Sequence, residues 1–206
     1  MTTVAVVDHG AGNLVSIGQG LRRAGADVKI ATCPDDLEGV AGLVVPGVGA
    51  TGAAMARLDR AGLVSSVKGF PGPILGICVG LQLFFNGSEE AEGGRGLDMI
   101  PGVVRRLEGT PLLPHIGWND VAVRPDPLFA GLGPSPTVYF VHSYAPVPVD
   151  PDTIIGTTEY GSSRFASAVR LGRVAGVQFH PERSGEAGLH LLGNFVASCR
   201  GTARAA

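Results

Sequence analysis

Cys78 and His180 are the residues of this sequence best placed by type and setting to do covalent chemistry. Cys78 lies in the run Pro73-Ile-Leu-Gly-Ile-Cys-Val-Gly-Leu-Gln-Leu-Phe-Phe85, where an apolar stretch breaks at Gly76-Ile-Cys-Val-Gly80 and then resumes. Glycines on both sides of a nucleophile predict a sharp strand-to-helix turn with the reactive side chain at its tip, because glycine lets two backbones approach without a Cβ clash. A thiol at a helix start also meets unpaired N–H groups and the positive end of the helix dipole, which favour thiolate over thiol. A lone cysteine in apolar surroundings is more often a small buried hydrophobe. The flanking glycines and a second motif move the reading toward a nucleophile.

That second motif is Gly176-Val-Gln-Phe-His-Pro-Glu-Arg183. Val177 and Phe179 alternate with Gln178 and His180 as in a strand, and Pro181 ends the ladder by removing a donor. His180 and Glu182 are then expected at a strand end, where the carboxylate holds the imidazole in one tautomer and the imidazole takes a proton from the thiol. Acyl transfer further requires an oxyanion hole. The N–H of Val79 follows the nucleophile, and Pro46-Gly-Val-Gly49, after the apolar run 43–45, offers a second donor at Val48 or Gly49.

These side chains need a scaffold that brings strand ends together. Residues 4–7, 28–31, 43–45 and 74–77 read as strands, and 14–24 and 53–67 as helices. Asn13 is placed to cap the first helix and Gly25 to end it. Strands alternating with helices predict a parallel sheet with right-handed crossovers and ligands at the carboxyl ends of its strands. The second half changes character, with β-rich runs at 103–107, 121–123, 137–141 and 154–158 and a hairpin over 166–175 turning at Gly172. They read as antiparallel additions to the same sheet, followed by a helix over 189–199. The segment 87–96, with its acidic run, reads as a solvated surface loop.

At 206 residues the chain suits one domain spanning 1–206. Hydrophobic residues make up 45%, charged residues 17%, and the formal net charge is −2, which argues against disorder and against a nucleic-acid partner. No basic leader region and no membrane-length apolar run is read, so a cytoplasmic protein that does not engage membranes is expected. Cys33, Cys78 and Cys199 form no C-x-x-C pair, and the five histidines show no i, i+4 metal spacing, so neither a metal nor a cofactor is expected.

Through these motifs the chain resembles the class I glutamine amidotransferases. The elbow Gly76-Ile-Cys-Val-Gly80 with Gln82, and Gln178-Phe-His-Pro-Glu182, carry that resemblance. Further motifs narrow it to glutaminase subunits of imidazole glycerol phosphate synthases: Asp8-x-Gly-x-Gly-Asn13, Pro46-Gly-Val-Gly-Ala50, Pro114-His-Ile-Gly-Trp-Asn119, Tyr139-Phe-Val-His-Ser-Tyr144, Gly156-Thr-Thr-Glu-Tyr160 and Arg183-Ser184. The resemblance implies a flavodoxin-like α/β fold, a mostly parallel central sheet flanked by helices with antiparallel β additions in the second half. It implies Cys78 as nucleophile, His180 as base and Glu182 as its orienter, with Gln82, Ser143 and Tyr144 at the amino-acid end of the substrate L-glutamine. It also implies a heterodimer with a separate (β/α)8 cyclase subunit, which receives the ammonia and forms imidazole glycerol phosphate and an aminoimidazole-carboxamide ribonucleotide in histidine biosynthesis. Asn13, Trp118, Asn119, Tyr139 and Arg183 are then expected at or near the docking face. The rival expectation is the glutaminase of another amidotransferase, such as pyridoxal phosphate synthase. His9, Val79 and Arg183 depart from the family's common tyrosine, leucine and lysine.

Overall fold

The computed structural model describes residues 2–8, 10, 13–90 and 94–202. In chain order its strands are β1 (Thr2–Val7), β2 (Ala26–Ala31), β3 (Gly42–Val45), β4 (Ile74–Ile77), β5 (Gly87–Ser88), β6 (Gly94–Arg95), β7 (Gly102–Arg106), β8 (His115–Asp120), β9 (Ala122–Val123), β10 (Thr137–His142), β11 (Tyr144–Pro148), β12 (Ile154–Tyr160), β13 (Ser163–Leu171) and β14 (Val174–Val177). The helices are α1 (Leu14–Arg23), α2 (Thr51–Arg60), α3 (Leu63–Gly69), α4 (Val79–Gln82) and α5 (Gly185–Thr202).

An eight-stranded sheet in the order β2-β1-β3-β4-β14-β13-β12-β9 forms the centre. From β2 to β14 all neighbours are parallel, and from β14 to β9 all are antiparallel. The parallel part has the 2-1-3-4-5 order of flavodoxin-like sheets. Every residue of β3, β4 and β14 is buried, which explains why these strands read as unbroken apolar runs: a parallel strand covered on both faces has no solvent side to alternate with. Helix α1 turns Ile17 and Leu21 inward and packs against α5, while α2 packs against α3. Asn13 caps α1 as expected, its Oδ1 accepting the Ser16 N–H at 3.1 Å. Among the described residues no helix is long and apolar enough to cross a membrane.

Four expectations need correction. The helix read over 53–67 is two helices, separated at Gly62, whose φ is +68°. The helix after the elbow is a single turn, because Leu83 and the two phenylalanines after it leave the helix and are buried in the core. Only β9, β12 and β13 extend the central sheet; β10 pairs with β8 in a separate ribbon, and β11-β7-β5-β6 form another sheet. Strands β8 and β11 escaped the sequence reading because Gly117, Pro146 and Pro148 mask their extended pattern. The segment 87–96 is also more than a loop, since Gly87–Ser88 pairs with β6 and β7. His9 and Gly12 of the first motif lie outside the described residues.

Candidate active site

Three neighbouring strands of the central sheet deliver the site. Strand β3 runs into Pro46-Gly-Val-Gly49, β4 into Cys78, and β14 toward His180, all at carboxyl ends, as an α/β sheet requires of its ligand site. The Cys78 N–H continues the β4–β14 ladder by donating to the Val177 carbonyl at 2.8 Å, and then the chain turns abruptly. Cys78 takes φ +54° and ψ −111°, outside the regions that L-residues favour. Such a conformation costs on the order of 1–3 kcal/mol and persists only where the surroundings impose it. Here the close packing of Gly80 imposes it: a Cβ at Gly80 would land on the Val45 carbonyl, and one at Gly47 would stand 2.8 Å from the Gly80 nitrogen. The β3 loop and the elbow therefore lie backbone against backbone.

His180 reaches the sulfur by a different route from the one expected. Strand β14 stops at Val177, and Gln178, Phe179 and His180 are all buried, so there is no exposed alternate face. The Gln178 N–H still donates to the Ser167 carbonyl at 2.8 Å, but the His180 N–H turns to the Tyr139 carbonyl of β10 at 2.9 Å. Ser184 completes the clamp: its Oγ accepts the Tyr139 N–H at 3.0 Å and donates to the His180 carbonyl at 2.7 Å. Pro181 opens a single 3-10 turn that brings Glu182 back to the ring's Nδ1.

His180 Nδ1 lies 2.8 Å from Glu182 Oε1, with both side chains almost wholly buried. A carboxylate only accepts, so Nδ1 carries the proton and Nε2 is left for exchange. Nε2 is buried and has no hydrogen-bond partner among the described residues. Burial alone would push this imidazole's pKa down, but the Cys78 sulfur and the Glu182 carboxylate beside it outweigh burial and raise it to about 10. The sulfur has two further neighbours, the Gln178 amide at 3.5 Å and the Val141 carbonyl at 3.9 Å.

A cavity of about 140 Å³ opens over the sulfur, lined by Val48, Gly49, Cys78, Val79, Gln82, Glu90, Val141, His142, Ser143, Tyr144 and His180. Its size suits a small polar metabolite rather than a drug-sized ligand, for which about 300–1,000 Å³ is usual. Larger hollows of about 420 and 620 Å³ lie elsewhere, but no cysteine or histidine lines either. Val48, Gly49 and Val79 are among the residues lining the cavity over the sulfur, with Gly49 at φ +82°. The first N–H of α4 to find an acceptor within the helix is that of Gln82, so those of Val79, Gly80 and Leu81 have none there. Gln82, Ser143 and Tyr144 line the cavity too, but both hydrogens of the Gln82 amide are engaged, by the Tyr144 carbonyl at 2.9 Å and by Gln178 Oε1 at 3.1 Å.

Glu90 is the acidic residue the sequence reading passed over, as part of a solvated run. It is the one carboxylate among the described residues lining the cavity, and its Oε2 is fixed by the Thr51 N–H at 2.6 Å and hydroxyl at 2.9 Å. No feature of an acidic run near a glycine-rich stretch distinguishes such a residue beforehand. His142 was also missed. Burial pushes it down to about 3 and lowers its partner His115 as well. Among the described residues no cluster of three or more His, Cys, Asp or Glu side chains is arranged to hold a metal ion.

The residues expected at a docking face divide. Trp118 is 58% exposed, its ring lies edge-on to Tyr139 with centroids 6.0 Å apart, and the Arg183 guanidinium sits 4.2 Å above Tyr139. These three form one surface patch. Asn119 instead turns inward, donating to the Glu159 carbonyl at 2.9 Å and meeting His115, and the Asn13 side chain is committed to capping α1.

The glutamine amidotransferase class-I family matches residues 5–199. The chain is 44% identical over 199 residues to the imidazole glycerol phosphate synthase subunit HisH of Moorella thermoacetica, covering 95% of this chain and 94% of that protein. It is also 44% identical over 209 residues to the protein of the same name from Halobacterium salinarum, covering 96% and 94%. Among solved structures, that of a glutamine amidotransferase superposes with a TM-score of 0.72 over 94% of this chain and 98% of that one, at 22% identity, and so shares the fold. By sequence and by fold the chain belongs to the class-I glutamine amidotransferases.

Proposed function

We propose that this chain is the glutaminase subunit of an imidazole glycerol phosphate synthase, acting in the cytoplasm as one amidotransferase domain that feeds ammonia to a separate cyclase subunit. The observation that carries the reading is the buried row of thiol, imidazole and carboxylate from Cys78 through His180 to Glu182 at the floor of a metabolite-sized cavity. The names of the relatives favour it over the glutaminase of another amidotransferase such as that of pyridoxal phosphate synthase.

With its proton held on His180 Nε2, Cys78 attacks the side-chain amide carbon of L-glutamine as a thiolate. Negative charge develops on the amide oxygen, and the N–H groups of Val79 and of Val48 or Gly49 are its proposed donors. The imidazolium, held by Glu182, returns its proton to the departing nitrogen. Ammonia leaves and a γ-glutamyl thioester remains. Water, deprotonated by His180, then adds to the thioester carbonyl, releasing glutamate and restoring the thiol. Glu90 is suited to the substrate's α-ammonium group, and the Ser143 segment to its carboxylate end. Trp118, Tyr139 and Arg183 present the cyclase with an aromatic and cationic patch of the kind that anchors interfaces.

The test is glutamate release by the purified chain mixed with a cyclase subunit. Release that depends on the chain, together with imidazole glycerol phosphate formation from glutamine, is the expected result. A folded, associated pair that releases no glutamate overturns the proposal.

A further inference from the structure

Gln178 touches the reacting sulfur, yet the mechanism above gives it no work. Its side chain is wholly buried, it does not line the cavity, and its Nε2 lies 3.5 Å from Cys78 Sγ. An amide in that place could present either its NH2 or its oxygen to the sulfur, with opposite consequences for a thiolate. The surrounding bonds decide which. The Tyr144 carbonyl can only accept, so the Gln82 group 2.9 Å from it is the NH2. That NH2 also donates to Gln178 at 3.1 Å, which makes the receiving atom Oε1 and turns the Gln178 NH2 to the sulfur.

The same carbonyl fixes a second row of groups. His142 Nδ1 lies 2.8 Å from the Tyr144 oxygen and so carries a hydrogen. In the neutral ring Nε2 is then an acceptor, and it meets His115 Nδ1 at 3.2 Å, which must therefore be the donor. His115 Nε2 is left to accept from the Asn119 amide at 3.4 Å, itself anchored on the Glu159 carbonyl. The two rings face each other across the β8–β10 ribbon, and Tyr160 stacks on His115 with centroids 4.0 Å apart.

We propose that Gln178 is a further catalytic residue, donating a hydrogen bond to the Cys78 thiolate, and that Gln82, Tyr144, His142, His115 and Asn119 are positioning residues that keep its NH2 turned to the sulfur. The Val141 carbonyl, 3.9 Å from the sulfur, repels a thiolate, and the Gln178 donor offsets it. The proposal rests on the reading of Cys78 as the glutaminase nucleophile. It can fail separately, because alkylation reports on the sulfur without any substrate.

The experiment uses the full chain with the exposed Cys33 changed to serine, and follows alkylation of Cys78 by iodoacetamide at neutral pH. Gln178→Met, which keeps the length and removes the donor, is expected to slow alkylation about tenfold, the lower end for a hydrogen bond to a charged group. In the complex it lowers kcat by a similar factor and leaves the KM for glutamine unchanged. His142→Leu slows alkylation in the same direction. His142→Asn, whose amide can replace the Nδ1 donor, restores most of the rate. Wild-type alkylation and kcat in a folded Gln178→Met overturn the proposal, as does a rise in KM alone. Should Gln178→Met not fold, the side-chain amide signal of Gln178 in the otherwise native chain is followed by nuclear magnetic resonance before and after alkylation of Cys78. A shift upholds the bond, and an unmoved signal overturns it.

Discussion

His180 and Glu182 divide their work by geometry. The carboxylate bonds Nδ1, which leaves Nε2 as the nitrogen for proton exchange. His180→Asn is therefore expected to lower glutaminase turnover by about 10²–10⁴, the usual worth of a general base, and Glu182→Gln by less. Near-normal turnover in a folded His180→Asn would show that another group is the base. Glu90→Gln is expected to act on binding instead: its carboxylate lines the cavity and is the proposed counter-charge for the substrate's α-ammonium group, so the KM for glutamine should rise about tenfold or more while kcat changes little. Steady-state kinetics of the complex separate the two effects. Cys78, His180 and Glu182 could be picked out because a glycine-flanked cysteine is paired in one chain with His-Pro-Glu, and the structure brings the three together although His180 lies beyond the end of β14 rather than on a strand end. Glu90 could not. Its place over the cavity depends on Thr51, 39 positions away, and no local pattern encodes that bond.

At the scale of elements, the elbow depends on glycine where β3 and α4 meet. Gly80→Ala would drive a methyl group into the Val45 carbonyl. Overpacking of a rigid core typically costs about 1–3 kcal/mol, and here backbone rather than a flexible side chain must give way. A lower unfolding midpoint in urea is expected, and an unchanged midpoint would show that the loop can move aside. The ribbon of β8 and β10 sets a pH dependence. His142 is held down to about 3 by burial, against 6.5 for an ordinary histidine, so the unfolded chain binds the extra proton between these values. Its contribution to stability is fully present above about pH 6.5 and is lost as pH falls toward 3, by up to about 1.4 kcal/mol per pH unit. His180, raised to about 10, works in the opposite sense: its contribution is present below about 6.5 and lost as pH rises toward 10. Urea midpoints across pH should show His142→Asn flattening the acid limb alone and His180→Asn the alkaline limb alone. Strands β1 to β4 were legible as continuous apolar runs between helices, whereas β8 and β11 were not. Glycine and proline within an edge strand look like loop until the partner strand is known.

At the scale of the whole molecule, the loop proposed to complete the oxyanion hole and the exposed patch of Trp118, Tyr139 and Arg183 suit control by the proposed partner. Gly47 is fixed against the elbow, while Gly49 has open space where a Cβ would stand and takes a positive φ, so the peptide between Val48 and Gly49 can turn with Gly49 as the pivot. The isolated chain is then expected to be a poor glutaminase that gains about 10²–10³ in rate when the cyclase and its ribonucleotide are bound, the worth of one oxyanion donor. A free chain already working at the rate of the liganded complex would show that no such gate exists. The division of labour between the two subunits is the central claim, and Cys78→Ser in the assembled pair tests it most directly. On that claim the thiol makes ammonia and the cyclase consumes it, so this variant should lose imidazole glycerol phosphate synthesis from glutamine and keep synthesis from added ammonium salts. Retention of the glutamine-dependent reaction, or loss of both reactions in a pair shown to be folded and associated, would contradict the account.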